Sequence, residues 1–438
     1  MTTPSQVTDS IARSSVEASA VRKLLWRLLP FLFLLYVVNY LDRINVGFAK
    51  LQMQGELGFS NEVFGAAFGI FFFGYSIFQV PSNLALQRVG ARRWMAGIMV
   101  LWGIVSCCMI FAHTPRGFYR LRFVLGLAEA GFFPGIILYM KTWFPATARA
   151  RAVAWFMTAN PLAGVIGGPI SGALLNLHLL GISGWKWMFL LEGIPAVLLA
   201  AVVWFTLKDE PNDAVWLDPD EKYWLIEALQ QESKMHAHAT RQNVLVTILK
   251  LSGQILLLMI VYFGLTTSAY GLILWLPSYI HSLSKLGNLG IGFVSVIPYI
   301  ATAVAMVVVG TRSDRTGKHR LHLAASALSA AVFVFLAAQT NSIVPGMALV
   351  SLSLMATFCM QGPFWATATS LMSGTAAAAG IAVINSLGNL GGFYGPYIVG
   401  VKQTSGAGFR GGMLVISGCL ALAGVVSCLV PGRNERPS

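Results

Sequence analysis

Four ionisable side chains stand in stretches otherwise built from apolar residues: Asp42 and Arg43 side by side, and Arg122 and Glu129 seven positions apart. An ionisable group inside a bilayer-spanning helix costs at least about 2.5 to 3.5 kcal/mol, so such groups face a cavity or a partner and point to function. Arginine offers a planar fork of N–H donors that grips a carboxylate, and an acid isolated from water takes up or releases a proton as its surroundings change. Arg122 and Glu129 are two helical turns apart and share a face. Asp42 and Arg43 lie about 16 residues into their helix, roughly 24 Å along it and past mid-depth. Two arginines and two acids converging in one wet pocket would couple the binding of an organic anion to the binding of protons. The plainer reading is that the same four residues form salt bridges that staple neighbouring helices. Glu192, near the outer end of its apolar stretch beside Trp185 and Trp187, is expected to be a structural partner.

The elements that must position these residues follow from composition. Of 438 residues, 56% are hydrophobic and 11% charged, against roughly 25% charged in soluble proteins, and the mean hydropathy is +0.68. A soluble fold cannot hide that much apolar surface. A spanning helix needs about 20 mostly apolar residues, and twelve such windows are expected at 26–48, 63–87, 94–112, 118–140, 150–176, 186–206, 252–280, 291–310, 321–339, 344–370, 378–401 and 411–430. Basic residues gather in alternate connections: Arg13, Arg22, Lys23 and Arg27; Arg88, Arg92 and Arg93; Lys141, Arg149 and Arg151; Arg312, Arg315, Lys318 and Arg320; Arg433 and Arg436. By the positive-inside rule these are cytoplasmic, which places both termini inside. The net charge of +13 is therefore topogenic, and no nucleic-acid partner is expected.

The expected divisions are an N-terminal cytoplasmic tail at 1–23, a six-helix bundle at 24–207, a cytoplasmic linker at 208–250, a second six-helix bundle at 251–431 and a C-terminal tail at 432–438. The polar start lacks the short apolar core of a cleavable signal, so the first span is expected to be its own insertion signal. In the linker, Asp218-Pro219-Asp220-Glu221 sets an N-cap, a proline at the first helical position and an acid at the third, predicting a short amphipathic helix.

The halves repeat one plan. Arg88-Val89-Gly90-Ala91-Arg92-Arg93 follows the second span, and Gly310-Thr311-Arg312-Ser313-Asp314-Arg315 through Arg320 follows the eighth. Each is a glycine-turned basic loop, a candidate gating latch through Arg92, Arg93, Asp314 and Arg315, although simple topogenic charge explains the basic residues too. The fifth span carries Gly164-x3-Gly168-Pro169 and the eleventh Gly391-x3-Gly395-Pro396, where glycine allows close backbone approach and proline bends the helix. Gly168, Pro169, Gly395 and Pro396 are thus candidate gating positions.

These repeats, with Asn39-Tyr40-Leu41-Asp42-Arg43-Ile44-Asn45-Val46-Gly47, Gly74-Tyr75 to Val80-Pro81-Ser82-Asn83, Arg122-Phe123 to Gly126-Leu127-Ala128-Glu129-Ala130-Gly131-Phe132-Phe133-Pro134-Gly135, and Trp185-Lys186-Trp187 to Leu191-Glu192-Gly193, span nearly the whole chain. The chain resembles the major facilitator superfamily, and more narrowly its anion:cation symporters, near bacterial tartrate, phthalate and sugar-acid permeases. That resemblance implies an all-α integral membrane fold of twelve transmembrane helices in two pseudo-symmetric six-helix bundles, working as a monomer in a bacterial inner membrane. It implies proton coupling through Asp42 and Glu129, and grip on a substrate carboxylate by Arg43 and Arg122. The first-half loop departs from the family pattern: it has Asn83 and Leu84 where an acid is usual, whereas the second half keeps Asp314.

In the spans that line the cavity of such proteins stand Tyr75, Asn160, Tyr270, Trp275, Gln361, Asn385 and Asn389. Amides and hydroxyls suit tartrate or a sugar acid such as galactonate; rings suit an aromatic acid such as phthalate or 4-hydroxyphenylacetate. Any one of them is as readily a packing or membrane-interface residue. The expected partners are a small organic anion, protons and the lipid bilayer.

Catalysis, cofactors and metals are not expected. No G-x-S-x-G, H-E-x-x-H or P-loop pattern occurs, and Cys107, Cys108, Cys359, Cys419 and Cys428 lack metal or redox spacing. A proton-driven drug exporter would share the fold but would not need two arginines suited to anions, and a ligand sensor would need a signalling domain that the sequence does not contain.

Overall fold

In the computed structural model residues 4–237, 252–371 and 374–431 are described, and they are overwhelmingly helical. In chain order the crossings are span 1, Pro4–Leu57; span 2, Asn61–Val89; span 3, Ala91–Cys107; span 4, Pro115–Glu129 with Phe132–Trp143; span 5, Ala146–Met157 with Ala159–Leu174; and span 6, Gly184–Thr206. After a linker helix, Pro219–Ala237, come span 7, Ser252–Ile273 with Leu276–Leu283; span 8, Asn288–Val294 with Val296–Thr316; span 9, His319–Ala337; span 10, Ile343–Cys359 with Gln361–Leu371; span 11, Gly374–Gly388 with Gly391–Thr404; and span 12, Gly408–Leu429. Among the described residues 11 helical segments are long and apolar enough to cross a membrane. The twelfth crossing is span 11, interrupted at Asn389 and Leu390 and bent by Pro396. The protein is an all-α, multi-pass membrane protein.

Local chemistry sets the helix ends. Ser60 caps span 2 by accepting the Val63 N–H, and Thr114 caps span 4 by accepting the Gly117 N–H, with Pro115 at the first position. Glycine supplies positive φ at the turns of the two basic loops: Gly90 at φ 93° between spans 2 and 3, and Gly317 at φ 64° after span 8.

Span 1 differs from the window expected for it. Its 54 residues make a rod of about 80 Å at 1.5 Å per residue, against a hydrocarbon core of about 30 Å. The segment read as a polar tail continues the helix, because only Pro30 interrupts it and Ser19 and Lys23 are anchored to the linker helix. Ser19 Oγ donates to Glu221 Oε1 at 2.7 Å, and Lys23 Nζ reaches Asp218 and Glu221 at 2.8 and 2.7 Å. The Asp218 N–H donates to Glu221 Oε2 at 3.0 Å, one arm of the capping box predicted there. Arg149 Nη2 meets both Glu232 oxygens at 2.8 Å, and Trp216 stacks on Trp143. The linker helix is thereby fixed to the first six spans. The linker's last stretch at 238–250, the C-terminal tail with Arg433 and Arg436, and the Arg13 side chain fall outside what is described.

The two six-span halves meet most closely at the end of the bundle away from the chain termini, where glycines bring backbone against backbone. A Cβ on Gly65 would lie 2.8 Å from the Pro396 carbonyl oxygen, and one on Gly69 2.7 Å from that of Phe393. On the other flank, a Cβ on Gly168 would lie 2.6 Å from the Gly292 oxygen and one on Gly172 2.5 Å from that of Asn288. Among the described residues, hydrogen bonds across this end join the Glu62 N–H to Thr404 Oγ1 at 3.0 Å and Asn288 Nδ2 to Asn176 Oδ1 at 3.1 Å.

Candidate functional site

Asp42, Arg43, Arg122 and Glu129 are all buried, and the structure sorts them into two places. Arg43 and Glu129 form an ion pair: Arg43 Nη2 donates to Glu129 Oε2 at 3.0 Å, Nε is 3.4 Å from the same oxygen, and Asn39 Nδ2 adds a third donor at 3.0 Å. The Arg43 guanidinium lies over the rings of Phe71 (5.3 Å) and Tyr75 (5.1 Å), and its Nη1 is 3.5 Å from Tyr270 Oη across the boundary between the halves.

Arg122 lies over the same Phe71 ring at 4.9 Å. Its Nε donates to the Ala67 carbonyl at 3.3 Å, while Nη1 and Nη2 are buried with no hydrogen-bond partner. Arginine stays charged in any protein environment. Around Phe71, then, two guanidiniums face one carboxylate, two positive charges less one negative. Unpaired buried donors of that kind are expensive, and a carboxylate satisfies them.

Asp42 is elsewhere. Consecutive helical residues point about 100° apart, so when Arg43 faces span 7, Asp42 turns into the interior of the first half. Its Oδ1 accepts from Ser106 Oγ of span 3 at 2.7 Å. The single pocket expected for all four charges is thus divided. Glu192, read as a structural partner, accepts from Ser171 Oγ of span 5 at 2.7 Å.

Beside Arg43 and Tyr270 opens a cavity of about 310 Å³, in part continuous with solvent. Four of the expected cavity residues line it: Asn160, Tyr270, Gln361 and Asn389. Asn385 sits one turn from Asn389 on the same helix and is 3.3 Å from its amide. Tyr75 lies over Arg43 instead, and Trp275 belongs to the closed end, where its indole N–H donates to the Pro396 carbonyl at 3.0 Å. Tyr40, Tyr262, Thr266 and Phe358 also form the wall and were missed. Tyr40, next to the Asn39 and Arg43 that bind Glu129, carried a signal that could have found it; the other three did not stand apart from ordinary span residues.

The expected latches are unequal. Arg92 does have an acid, supplied by Asp209 beyond span 6: the Arg92 N–H donates to Asp209 Oδ1 at 2.9 Å and Arg92 Nε is 3.6 Å from Oδ2. Among the described residues Arg93, Asp314 and Arg315 are exposed and in no ion pair. The Gly-Pro repeats also differ. Gly168 and Pro169 pack against Gly292 of the opposite half, while Gly395 packs on Thr267 of its own half and the Pro396 carbonyl reaches Gly65 across the boundary.

This arrangement, two bundles parted by a polar cavity with ionisable residues at mid-depth, has relatives. Residues 32–396 match the model of the Major Facilitator Superfamily. A protein of Agrobacterium vitis named for tartrate transport is 45% identical over 95% of this chain and 96% of its own. A quinolone resistance transporter of Acinetobacter baumannii is 36% identical over 96% of both. Among solved structures, a bacterial homologue of the human lysosomal transporter Spinster, in an inward-facing and occupied conformation, aligns with TM-score 0.74 at 16% identity, over 92% of this chain and 96% of that one. The chain belongs to the major facilitator superfamily and is a membrane transporter, not an enzyme.

Proposed function

We propose that this transporter imports a small hydroxylated organic anion, tartrate or a sugar acid such as galactonate, together with protons across a bacterial inner membrane, as a monomer working by alternating access. The observation that carries the reading is Arg122, a fully buried guanidinium with two unpartnered nitrogens, beside an Arg43–Glu129 pair at the edge of a cavity walled by amides and hydroxyls. When Glu129 takes a proton it no longer holds Arg43 as an ion. The Arg43 N–H donors then turn to a substrate carboxylate, and Arg122 supplies a second grip. Proton and anion thus assist each other, and carrying them together avoids moving net negative charge against the membrane potential, worth about 2.3 kcal/mol per charge per 100 mV. The name of the Agrobacterium vitis relative supports tartrate.

On this reading the termini are cytoplasmic, the backbone contacts at the opposite end close the outer side, and the cavity opens inward. In proteoliposomes an imposed inward proton gradient should accumulate labelled tartrate or galactonate. Glu129→Gln should abolish accumulation while sparing counterflow exchange at least in part, and Arg122→Ala should lose both. Asp42→Asn is expected to act like Glu129→Gln. Accumulation that survives in both acid variants removes the coupling role. A second reading, uptake of an aromatic carboxylate, is favoured by the rings of Tyr40, Tyr262, Tyr270 and Phe358 in the wall. Competition of labelled uptake by phthalate or 4-hydroxyphenylacetate, stronger than by tartrate, would select it.

A further inference from the structure

Lys50 of span 1 is 4% exposed, and the transport cycle described so far makes no use of it. It stands at the end closed by glycine, and among the described residues no carboxylate pairs with it. Lys186, at the same end, shows the ordinary arrangement, with Glu56 at 3.1 Å. The Lys50 ammonium has instead one hydrogen bond, donated to Gln54 Oε1 at 2.7 Å, and Gln54 is held in turn by donating to Asn61 Oδ1 at 3.1 Å. Two rings supply the rest of its surroundings: Nζ lies 5.6 Å from the centroid of Phe64 of span 2 and 4.9 Å from that of Trp275 of span 7. Trp275 is fixed by its hydrogen bond to the Pro396 carbonyl and by an edge contact with Phe68. A ring face attracts a cation, more strongly away from water, yet an ammonium buried without an anion is still expensive. An apolar side chain would fill this contact without that cost, so the charge has a purpose other than packing.

Two features say what that purpose is. Lys50 is seven residues beyond Arg43, which is two turns and about 10 Å along the same face of span 1. The cage around it is also divided between the halves, with Phe64 and Gln54 in the first and Trp275 in the second. Glycines bracket it: a Cβ on Gly47 would lie 2.6 Å from the Leu274 carbonyl oxygen, and one on Gly65 2.8 Å from that of Pro396. With backbone so close on both sides, no carboxylate fits beside the ammonium while this end is closed. When the halves part, Trp275 leaves with the second half and the ammonium stands free in the mouth that opens. We propose that Lys50 is then a docking site for the carboxylate of the incoming anion, which passes from it down span 1 to Arg43 and Arg122. The cage forms again only after the carboxylate has moved on. The end therefore closes behind a substrate that has reached the deeper arginines, and an anion still held at the mouth keeps it open. An ammonium grips a carboxylate by charge and up to three N–H donors without a fixed fork, so the site selects for small carboxylates as a class and leaves the choice among them to the deeper cavity.

The role of Lys50 in import rests on the function proposed above, and two measurements test the site apart from it. Acylation of amines in the purified full chain, read at Lys50 by mass spectrometry, should be slow in the wild type and fast in the double variant Gly65→Val/Gly172→Val, whose added side chains part the halves at this end. Tartrate or phthalate should protect Lys50 in the double variant. A Lys50 that stays unreactive there, or that neither anion protects, overturns the docking site. In the second measurement, calorimetry of tartrate binding, adding Lys50→Met to the double variant should weaken affinity about tenfold, the worth of one lost charge-assisted hydrogen bond, and Lys50→Arg should largely restore it. The same substitution should cost much less in the chain closed at this end. Protection without that loss of affinity means that the ligand merely recloses the cage, and an equal loss in both backgrounds means that Lys50 only supports the deeper site; either result overturns the docking site. Tartrate uptake with Lys50 unprotected leaves the import standing without the site, whereas a chain that binds these anions at Lys50 yet moves neither across a membrane keeps the site and refutes the import.

Discussion

Arg122 separates two physical roles that look alike in a sequence. Replacing both members of a buried ion pair by apolar side chains is often neutral, whereas removing one member costs about 3 to 5 kcal/mol, because its partner is left as an unpaired buried charge. Arg43 and Glu129 are such a pair, at 3.0 Å, and Arg122 is not. Arg122→Met should therefore melt at or above the wild-type temperature yet lose the thermal shift expected of the wild type with the proposed substrate, tartrate, while Glu129→Ala should melt well below it. A large fall in melting temperature in Arg122→Met would make that residue structural. What could be read from the sequence at this scale was which residues are charged in the wrong solvent, since composition alone marks Asp42, Arg43, Arg122 and Glu129. Their directions could not be read, because a one-residue step turns the side chain by about 100° and sends Asp42 to Ser106 while Arg43 meets Glu129. The ring residues of the cavity wall were hidden for another reason: Tyr262 and Phe358 have the same composition signature as any tyrosine or phenylalanine of a span.

At the scale of elements, apolar windows separated by basic clusters are a strong signal, and the helices follow them to within a few residues at most ends. The departures come where tertiary contacts extend a helix or proline and glycine break it: span 1 runs on to Pro4 because the linker helix holds it, and span 11 splits at Asn389. The linker helix carries its own pH dependence. Burial pushes Glu221 up, but hydrogen bonds from Lys23, Ser19 and the Asp218 N–H outweigh it and hold the carboxyl below its ordinary value. An acid held down in this way stabilises the docked helix at neutral pH, and the stabilisation is lost as pH falls through the ordinary carboxylate range toward the lowered folded-state value. Limited proteolysis after Lys222 should be slow at neutral pH and accelerate in acid, and Glu221→Gln should be cut faster at pH 7 with little further change on acidification. Equal cleavage of both proteins at pH 7 would show that Glu221 does not hold the helix. Glu232→Ala, which removes the partner of Arg149, should add to the effect, since the two contacts are separate along the helix.

For the whole molecule, the decisive feature is that the two halves touch through glycine at one end. Gly65, Gly69, Gly168 and Gly172 allow carbonyl oxygens of the opposite half to come within 2.5 to 2.8 Å of where a Cβ would stand, so any side chain there must push the halves apart. Overpacking of a tight contact costs about 1 to 3 kcal/mol, and because it is felt only in the state closed at that end, the equilibrium between states moves by roughly 5- to 150-fold. Moving a population from 1:99 to 99:1 takes about 5.5 kcal/mol, so one substitution should tilt the balance and two on opposite flanks should come close to reversing it. Spin labels at Arg93→Cys and Arg315→Cys, exposed positions at the terminal end of each half, in a chain with its five cysteines replaced, report this directly. Gly65→Val and Gly172→Val should each raise the population with a short label distance, the double variant should make it dominant, and proton-driven uptake should slow as that state accumulates. Distances unchanged in the double variant would mean that glycine packing at that end does not govern which side of the transporter is closed.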